Sequence, residues 1–176
     1  MSSTFADKSG RGLLLAAINA VAVEGFSFVP ADIDFAAPEV VDHNGLATRV
    51  VFTATPESLF TGSKEIFFNR VDLEAMFTNA GIPTVEVNAS DVPGNTVAEV
   101  VAALNVRYGT EFDATDYVAE LVEAGSDSVI VRAAPGSFGF VGQLLVSLIA
   151  AETPVETVVP NGELGNIPAP TPEEPV

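Results

Sequence analysis

The sequence contains no cysteine and no tryptophan, and His43 is its single histidine. Without cysteine there are no disulfides, thiolate metal ligands or cysteine nucleophiles. Without tryptophan, and with only Tyr108 and Tyr117 as tyrosines, no aromatic platform for a sugar is evident. Asp42 adjoins His43, but neighbours in an extended chain point to opposite faces. We therefore interpret His43 as a turn residue, since catalysis or zinc binding needs further groups beside it.

Basic residues are also scarce. Seven lysines and arginines stand against 24 acidic residues, which gives a formal net charge of −17. Nucleic acids and anionic membrane surfaces would repel such a chain, so neither is predicted as a partner. A cationic partner, a bound cation or simple solubility fits this charge better.

Sequence signatures of catalysis are missing. No G-x-S-x-G nucleophile elbow occurs, and TGSKE (61–65) lacks the glycine spacing of a P-loop. Asp32 and Asp34, and likewise Asp113 and Asp116, lie close in sequence but lack the pattern of a calcium loop. Capping of turns is our interpretation of these acids, and a weak calcium site is the alternative. We predict a non-enzymatic protein without cofactors.

What the sequence does contain is a phrase that occurs twice. AALNVRYGTEFDATDYV (102–118) is similar to AAINAVAVEGFSFVPADI (16–33). The similarity pairs Asn19 with Asn105, Phe28 with Phe112 and Asp32 with Asp116. Ser58 pairs with Ser137 in the same way. Internal similarity of this kind is the signature of a repeated structural unit.

Each copy predicts one helix followed by three strands. In the second copy Thr96 and Glu99 form a capping box, and an apolar stripe with helical spacing follows it. Three β-like runs come next, at 117–124, 128–135 and 143–150. The first copy has a helix at 12–23 and β-like runs at 33–41, 48–56 and 64–72. Short glycine-containing connections favour antiparallel neighbours.

The predicted fold class is therefore α+β, with two tandem modules of one helix and a three-stranded antiparallel meander. The predicted organisation is an N-terminal extension, a first module, a connector with one extra strand, a second module and an extended arm: 1–11, 12–75, 76–95, 96–150 and 151–176. From Glu152 the arm has six prolines, five glutamates and no basic residue, a composition typical of an extended chain.

Apolar residues at matching loop tips are the candidate partner contacts. The loops ESLFTGS (57–63) and SFGFVG (137–142) occupy corresponding positions in the two copies. Apolar tips favour a contact surface, and folding back onto the module's own core is the alternative. The predicted contact residues, including three arm prolines, are Leu59, Phe60, Phe138, Phe140, Pro168, Pro170 and Pro172.

The phrases AALNVRYGTEFDATDYV and TRVVFTATPESLFTGSKEIFFNRVDL resemble a recurrent module in structural proteins of large tailed bacteriophages. The shared pattern is a helix ending in Asn, a Gly-to-Asp turn, a Thr-Arg-Val strand and a strand with Phe68-Asn69-Arg70. The resemblance covers roughly residues 12–75 and 96–150. The second copy lacks the Asn-Arg pair, because VSLIA stands there. The resemblance implies location in the virion and offers no catalytic residues.

Three functional hypotheses follow. The first is a structural protein that coats or cements a capsid in many copies, with the major capsid protein as its partner. The second is a tail, collar or fibre-attachment component of the same particle. The third is a host-facing adhesin or carbohydrate-binding module that uses the phenylalanine loops.

Overall fold

The structure is a computed structural model, and it describes residues 9–150. The chain is α+β, with three α-helices and nine short strands among the described residues. In chain order the elements are α1 (Gly10–Val21), β1 (Ile33–Phe35), β2 (Glu39–His43), β3 (Leu46–Ala54), β4 (Ser63–Phe68), β5 (Val71–Asp72), α2 (Leu73–Asn79), β6 (Val85–Asn88), α3 (Val97–Tyr108), β7 (Ser128–Arg132), β8 (Phe140–Val141) and β9 (Gln143–Ile149). A 3₁₀ turn spans Ala89–Asp91.

The first segment (12–75) contains an antiparallel sheet centred on β3. β4 pairs with one edge of β3, while β1 and β2 follow each other along the other edge. The run predicted as one strand at 33–41 is therefore two strands. Pro38 lies in the gap and has no N–H for the ladder. The buried cluster under this sheet consists of Leu14, Ile18, Ile33 and Val50.

The second segment (96–150) departs from the predicted meander. β7 and β9 pair antiparallel, but residues 117–124 form only isolated bridges, at Tyr117 and Leu121. The prediction of a strand there was wrong because the chain turns away to cover the start of α3. The Val97 N–H donates to the Glu120 carbonyl and the Val122 N–H to that of Asn95.

The connector supplies the third strand of the second sheet. β6 pairs in parallel with β9, so the predicted extra strand forms one edge of the sheet of the second segment. α2 was not predicted. It begins at an Asp72 cap that accepts from the Ala75 N–H, and it buries Leu73 and Phe77 in the larger core. Two parallel residue pairs between β5 and β8 join the two segments.

The capping box at the start of α3 is confirmed. The Glu99 N–H donates to the Thr96 hydroxyl oxygen, and the Glu99 carboxylate accepts from the Thr96 N–H. Gly109 ends the helix in the left-handed conformation, which glycine adopts without steric cost. The helix presents Val97, Val100, Val101 and Leu104 to the core shared by α2 and the β6–β9–β7 sheet.

Candidate contact surface

Asn19 and Asn105 make the same pair of hydrogen bonds. The Asn19 side chain donates to the Phe28 carbonyl and accepts from the Phe28 N–H, both at 2.8 Å. The Asn105 side chain does the same to Phe112, at 2.9 and 3.1 Å. Each asparagine thus ties the end of its helix to the turn that follows, because a carboxamide offers a donor and an acceptor side by side.

Asp32 and Asp116 form the second matched arrangement. The Asp32 carboxylate accepts from the Val29 N–H at 2.8 Å and from the Ser58 hydroxyl at 3.4 Å. The Asp116 carboxylate accepts from the Asp113 N–H at 3.2 Å and the Ser137 hydroxyl at 2.9 Å. Both aspartates therefore cap a turn and hold a loop serine, which is the capping interpretation made from the sequence.

The two loops also close in the same way. The Phe60 N–H donates to the Ser58 hydroxyl, and the Phe140 N–H donates to the Ser137 hydroxyl, each at 3.1 Å. The two phenylalanine rings then pack on the phenylalanines held by the asparagines. Their centroid separations are 4.5 Å for Phe28 and Phe60 and 4.9 Å for Phe112 and Phe140.

We call Asp32, Ser58, Leu59 and Phe60 the first loop site, and Asp116, Ser137, Phe138, Gly139 and Phe140 the second loop site.

The second loop site is filled by the start of α1. The Gly10 N–H donates to the Asp116 carboxylate at 3.0 Å, across 106 residues of chain. This N–H has no partner within the helix, and a carboxylate is favourable at a helix amino terminus. A Cβ on Gly10 would lie 2.3 Å from an Asp116 oxygen and 2.7 Å from the Gly139 nitrogen, so only glycine fits. Asp116 and Ser137 are consequently 2% and 0% exposed.

Two further contacts fix the first segment to this loop. The Phe138 ring packs against Phe35 at a centroid separation of 5.5 Å and joins the core of the first segment. The Arg70 guanidinium donates to the Pro135 and Ser137 carbonyls at 3.1 and 3.2 Å. Burial lowers the pKa of Arg70, and an arginine with a lowered pKa remains charged at neutral pH.

Asp116 in the second loop site and its neighbour Asp113 have pKa shifts in opposite directions. Burial raises the pKa of Asp116, against the opposing effect of the Gly10, Asp113 and Ser137 hydrogen bonds. Burial also acts to raise the pKa of Asp113. There, hydrogen bonds from Thr115 and Ser9 and the charge of Arg11 outweigh it, and the pKa is lowered. The charged form of Asp113 is therefore favoured by its surroundings at the start of α1, whereas burial disfavours the charged form of Asp116.

The first loop site has the same internal hydrogen bonds but lies open. Asp32 and Ser58 are half-buried, and Leu59 at the tip is 99% exposed. Exposed apolar side chains surround it: Phe26 is 61% exposed and packs edge-on against Phe60, and Val29 is 54% exposed. Val29 occupies the position of Asp113 in the second segment. Contiguous apolar surface of this kind is typical of a contact site.

The predicted contact residues separate into three groups. Leu59 is exposed and Phe60 is half-buried beside it. Phe140 is 1% exposed in the second core, and Phe138 is half-buried and packs against the first core. For these two the alternative of packing within the chain is what the structure has. Pro168, Pro170 and Pro172 lie outside the described residues.

Sequence reasoning missed Gly10 and Arg70. Gly10 was assigned to the N-terminal extension, although a glycine at the start of a helix signals a close approach of another group. Arg70 was noted only as part of the Phe68-Asn69-Arg70 pattern. The structure gives both polar residues of that pattern a partner, because Asn69 accepts from the Ala47 N–H and donates to the Gly45 carbonyl.

His43 stacks on Phe67 with ring centroids 4.0 Å apart, beside a turn in which Asn44 and Gly45 have positive φ. Within residues 9–150, no group of three or more histidine or acidic side chains is placed to hold a metal ion. None of the helices in that same range is long and apolar enough to cross a membrane.

The comparison with protein families decides the membership of the chain. A model of a family of unknown function, DUF7941, matches residues 4–175. The chain belongs to this family. Neither the curated proteins nor the solved structures contain a match to the chain. The family has no assigned activity, so functional inference depends on the two loop sites.

Proposed function

We propose that this DUF7941 protein is a non-enzymatic structural protein of a bacteriophage virion, built from two tandem copies of one module. The matched hydrogen bonds of Asn19 with Asn105 and of Asp32 with Asp116 support the duplication. The phage part of the proposal is supported by the resemblance of residues 12–75 and 96–150 to modules of tailed-phage structural proteins.

One observation carries the contact role. The two loop sites have the same internal hydrogen bonds, and the second is a protein contact within the chain, with Phe138 packed against the first core. The first presents Leu59 to solvent at 99% exposure. The polar side chains of the first loop site make structural hydrogen bonds to backbone and serine groups. This use of them favours a protein-contact role over a catalytic one.

Coating or cementing a capsid is the role we favour within the particle, with the major capsid protein as partner. A net charge of −17 suits a protein that faces solvent and contacts other proteins. Many copies on a shell would add avidity to weak single contacts. A tail, collar or fibre-attachment position is the alternative, and it uses the same open loop in fewer copies.

Add-back to particles grown without the protein tests the proposal. Purified full-length protein is expected to co-sediment with such particles, and Leu59→Asp is expected to lose most of this binding. Deleting residues 152–176 should also abolish attachment if the acidic arm contacts neighbours. Both variants are expected to retain the wild-type thermal melt. Leu59 is 99% exposed, and the composition of residues 152–176 predicts an extended arm outside the two modules. Failure of the wild-type protein to co-sediment would contradict the proposal.

A further inference from the structure

The second loop site shows which structure these loops accept. It receives the first turn of α1, through the Gly10 N–H on Asp116 and the close approach of Gly10 to Gly139. Arg70, from the same segment as α1, holds the outer carbonyls of that loop. The contact is thus made between the helix start of one module and the loop of the next.

Among residues 9–150, no helix start of the same chain lies on the first loop site in this way. The other module helix is α3, and N–H groups at its start already have partners within the chain. Its Thr96 N–H is held by Glu99, its Val97 N–H donates to Glu120, and a threonine stands at the position of Gly10. In a second copy of the chain the start of α1 is not free either, because its Gly10 N–H donates to the Asp116 of that same copy.

We propose that the first loop site binds the first turn of an α-helix that begins with glycine, supplied by a different protein chain of the same modular kind. This inference deepens the proposed contact role and rests on it. The Asp32 carboxylate takes the place of Asp116, and Leu59 packs against the partner's core as Phe138 packs against the core of the first segment.

The surroundings of the site indicate the neighbouring chemistry of that partner. In the second segment the Asp113 carboxylate accepts a hydrogen bond from Ser9 and interacts electrostatically with Arg11. Val29 stands at the equivalent position and is exposed. The partner therefore carries apolar residues, rather than a serine and an arginine, beside its glycine. The Asp32 carboxylate is the charged group in this contact. It accepts from the N–H groups at the start of the partner's helix, which have no partners within that helix.

A peptide probe tests this inference on the full-length protein. The probe is residues 9–22 of this chain with Ser9→Ala and Arg11→Val, and the matched control peptide also carries Gly10→Val. Titration into isotope-labelled protein is followed by backbone amide shifts in NMR spectra. We expect saturable shifts at Val29, Asp32 and Phe60, and binding at least about tenfold weaker for the control peptide.

Two protein variants complete the test. Leu59→Asp is expected to weaken binding by at least about tenfold. Leu121→Asp, on a side chain that is 84% exposed in the second segment, should leave it unchanged. Equal binding of both peptides, equal binding to both variants, or shifts confined to Asp116 and Ser137 would overturn the inference. The result is independent of virion membership, because co-sedimentation with particles measures that separately.

Discussion

Asn19 and Asn105 each satisfy both backbone polar groups of a half-buried phenylalanine. Replacing either with alanine leaves one N–H and one carbonyl without this partner. We expect the free energy of unfolding to fall by about 1–3 kcal/mol for each variant, measured by urea denaturation. Asn79→Ala, at the exposed end of α2, is the control and should be near neutral. A change below about 0.5 kcal/mol for Asn105→Ala would contradict a structural role for the pair.

Gly10 gives a second prediction at this scale. An added methyl group would approach Asp116 and Gly139 to within 2.3 and 2.7 Å. Gly10→Ala should therefore lower the free energy of unfolding by about 1–3 kcal/mol, as overpacking does. Gly136→Ala is the matched control, because no atom lies within 4 Å of its added Cβ. Similar thermal melts for the two variants would show that α1 does not dock as described.

Asp113 and Asp116 should contribute to the free energy of unfolding with opposite dependence on pH. The raised pKa of Asp116 means that its charge opposes folding above that pKa, and the cost disappears as pH falls toward the unfolded value. The lowered pKa of Asp113 means that its charge supports folding, and the support is lost as pH falls through its folded pKa.

Urea titrations of the wild type, Asp116→Asn and Asp113→Asn from neutral pH into the acid range measure this. On acidification, the stability of the wild type relative to Asp116→Asn should rise. Relative to Asp113→Asn it should fall. Parallel pH profiles for the two variants would show that the two carboxylates do not differ as the structure indicates.

Among the elements, α2 shows most clearly how the connector became part of the core. Phe77 is 1% exposed, packs edge-on against Tyr108 and belongs to the larger core. Phe77→Ala should cost about 3–5 kcal/mol of unfolding free energy, by analogy with other buried phenylalanines. Glu74→Ala, on the exposed face of the same helix, is the control. Equal urea midpoints would mean that α2 is not integral to the second core.

Local signals predicted the elements better than the contacts between them. The Thr96 and Glu99 capping box and the apolar stripe identified α3, because both lie within a few turns of chain. The seven-residue α2 was missed because it is shorter than a helical period pattern needs. Residues 117–124 have strand-like composition, yet the hydrogen bonds of Glu120 and Val122 to the start of α3 divert them.

The candidate site was only partly predictable from the sequence, because local patterns do not encode contacts between residues that are distant along the chain. Matching loop tips at Leu59 and Phe138 were visible as a repeat in the sequence. Which tip is filled depends on Gly10 meeting Asp116 across 106 residues, and no local pattern encodes such a contact. Leu59 is exposed at the open loop, whereas Phe138, at the matching position of the filled loop, packs against Phe35 of the first segment.

At the scale of the whole molecule, the contact between the two segments fills the second loop site and leaves the first one open. β5 and β8 join the segments, α1 contributes to both cores through Leu13 and Leu14, and the first loop site faces outward. In the proposed modular arrangement, a further module would pack on the open first loop site. This is what a component of a larger assembly requires, and it motivates the proposal of a virion protein.

The most direct measurement is the copy number of this protein in purified phage particles, by quantitative mass spectrometry against the major capsid protein. The proposed capsid-coating role predicts a copy number comparable with that of the capsid protein. A few copies per particle would instead favour the tail or collar position. Absence of the protein from the particles would contradict the virion proposal.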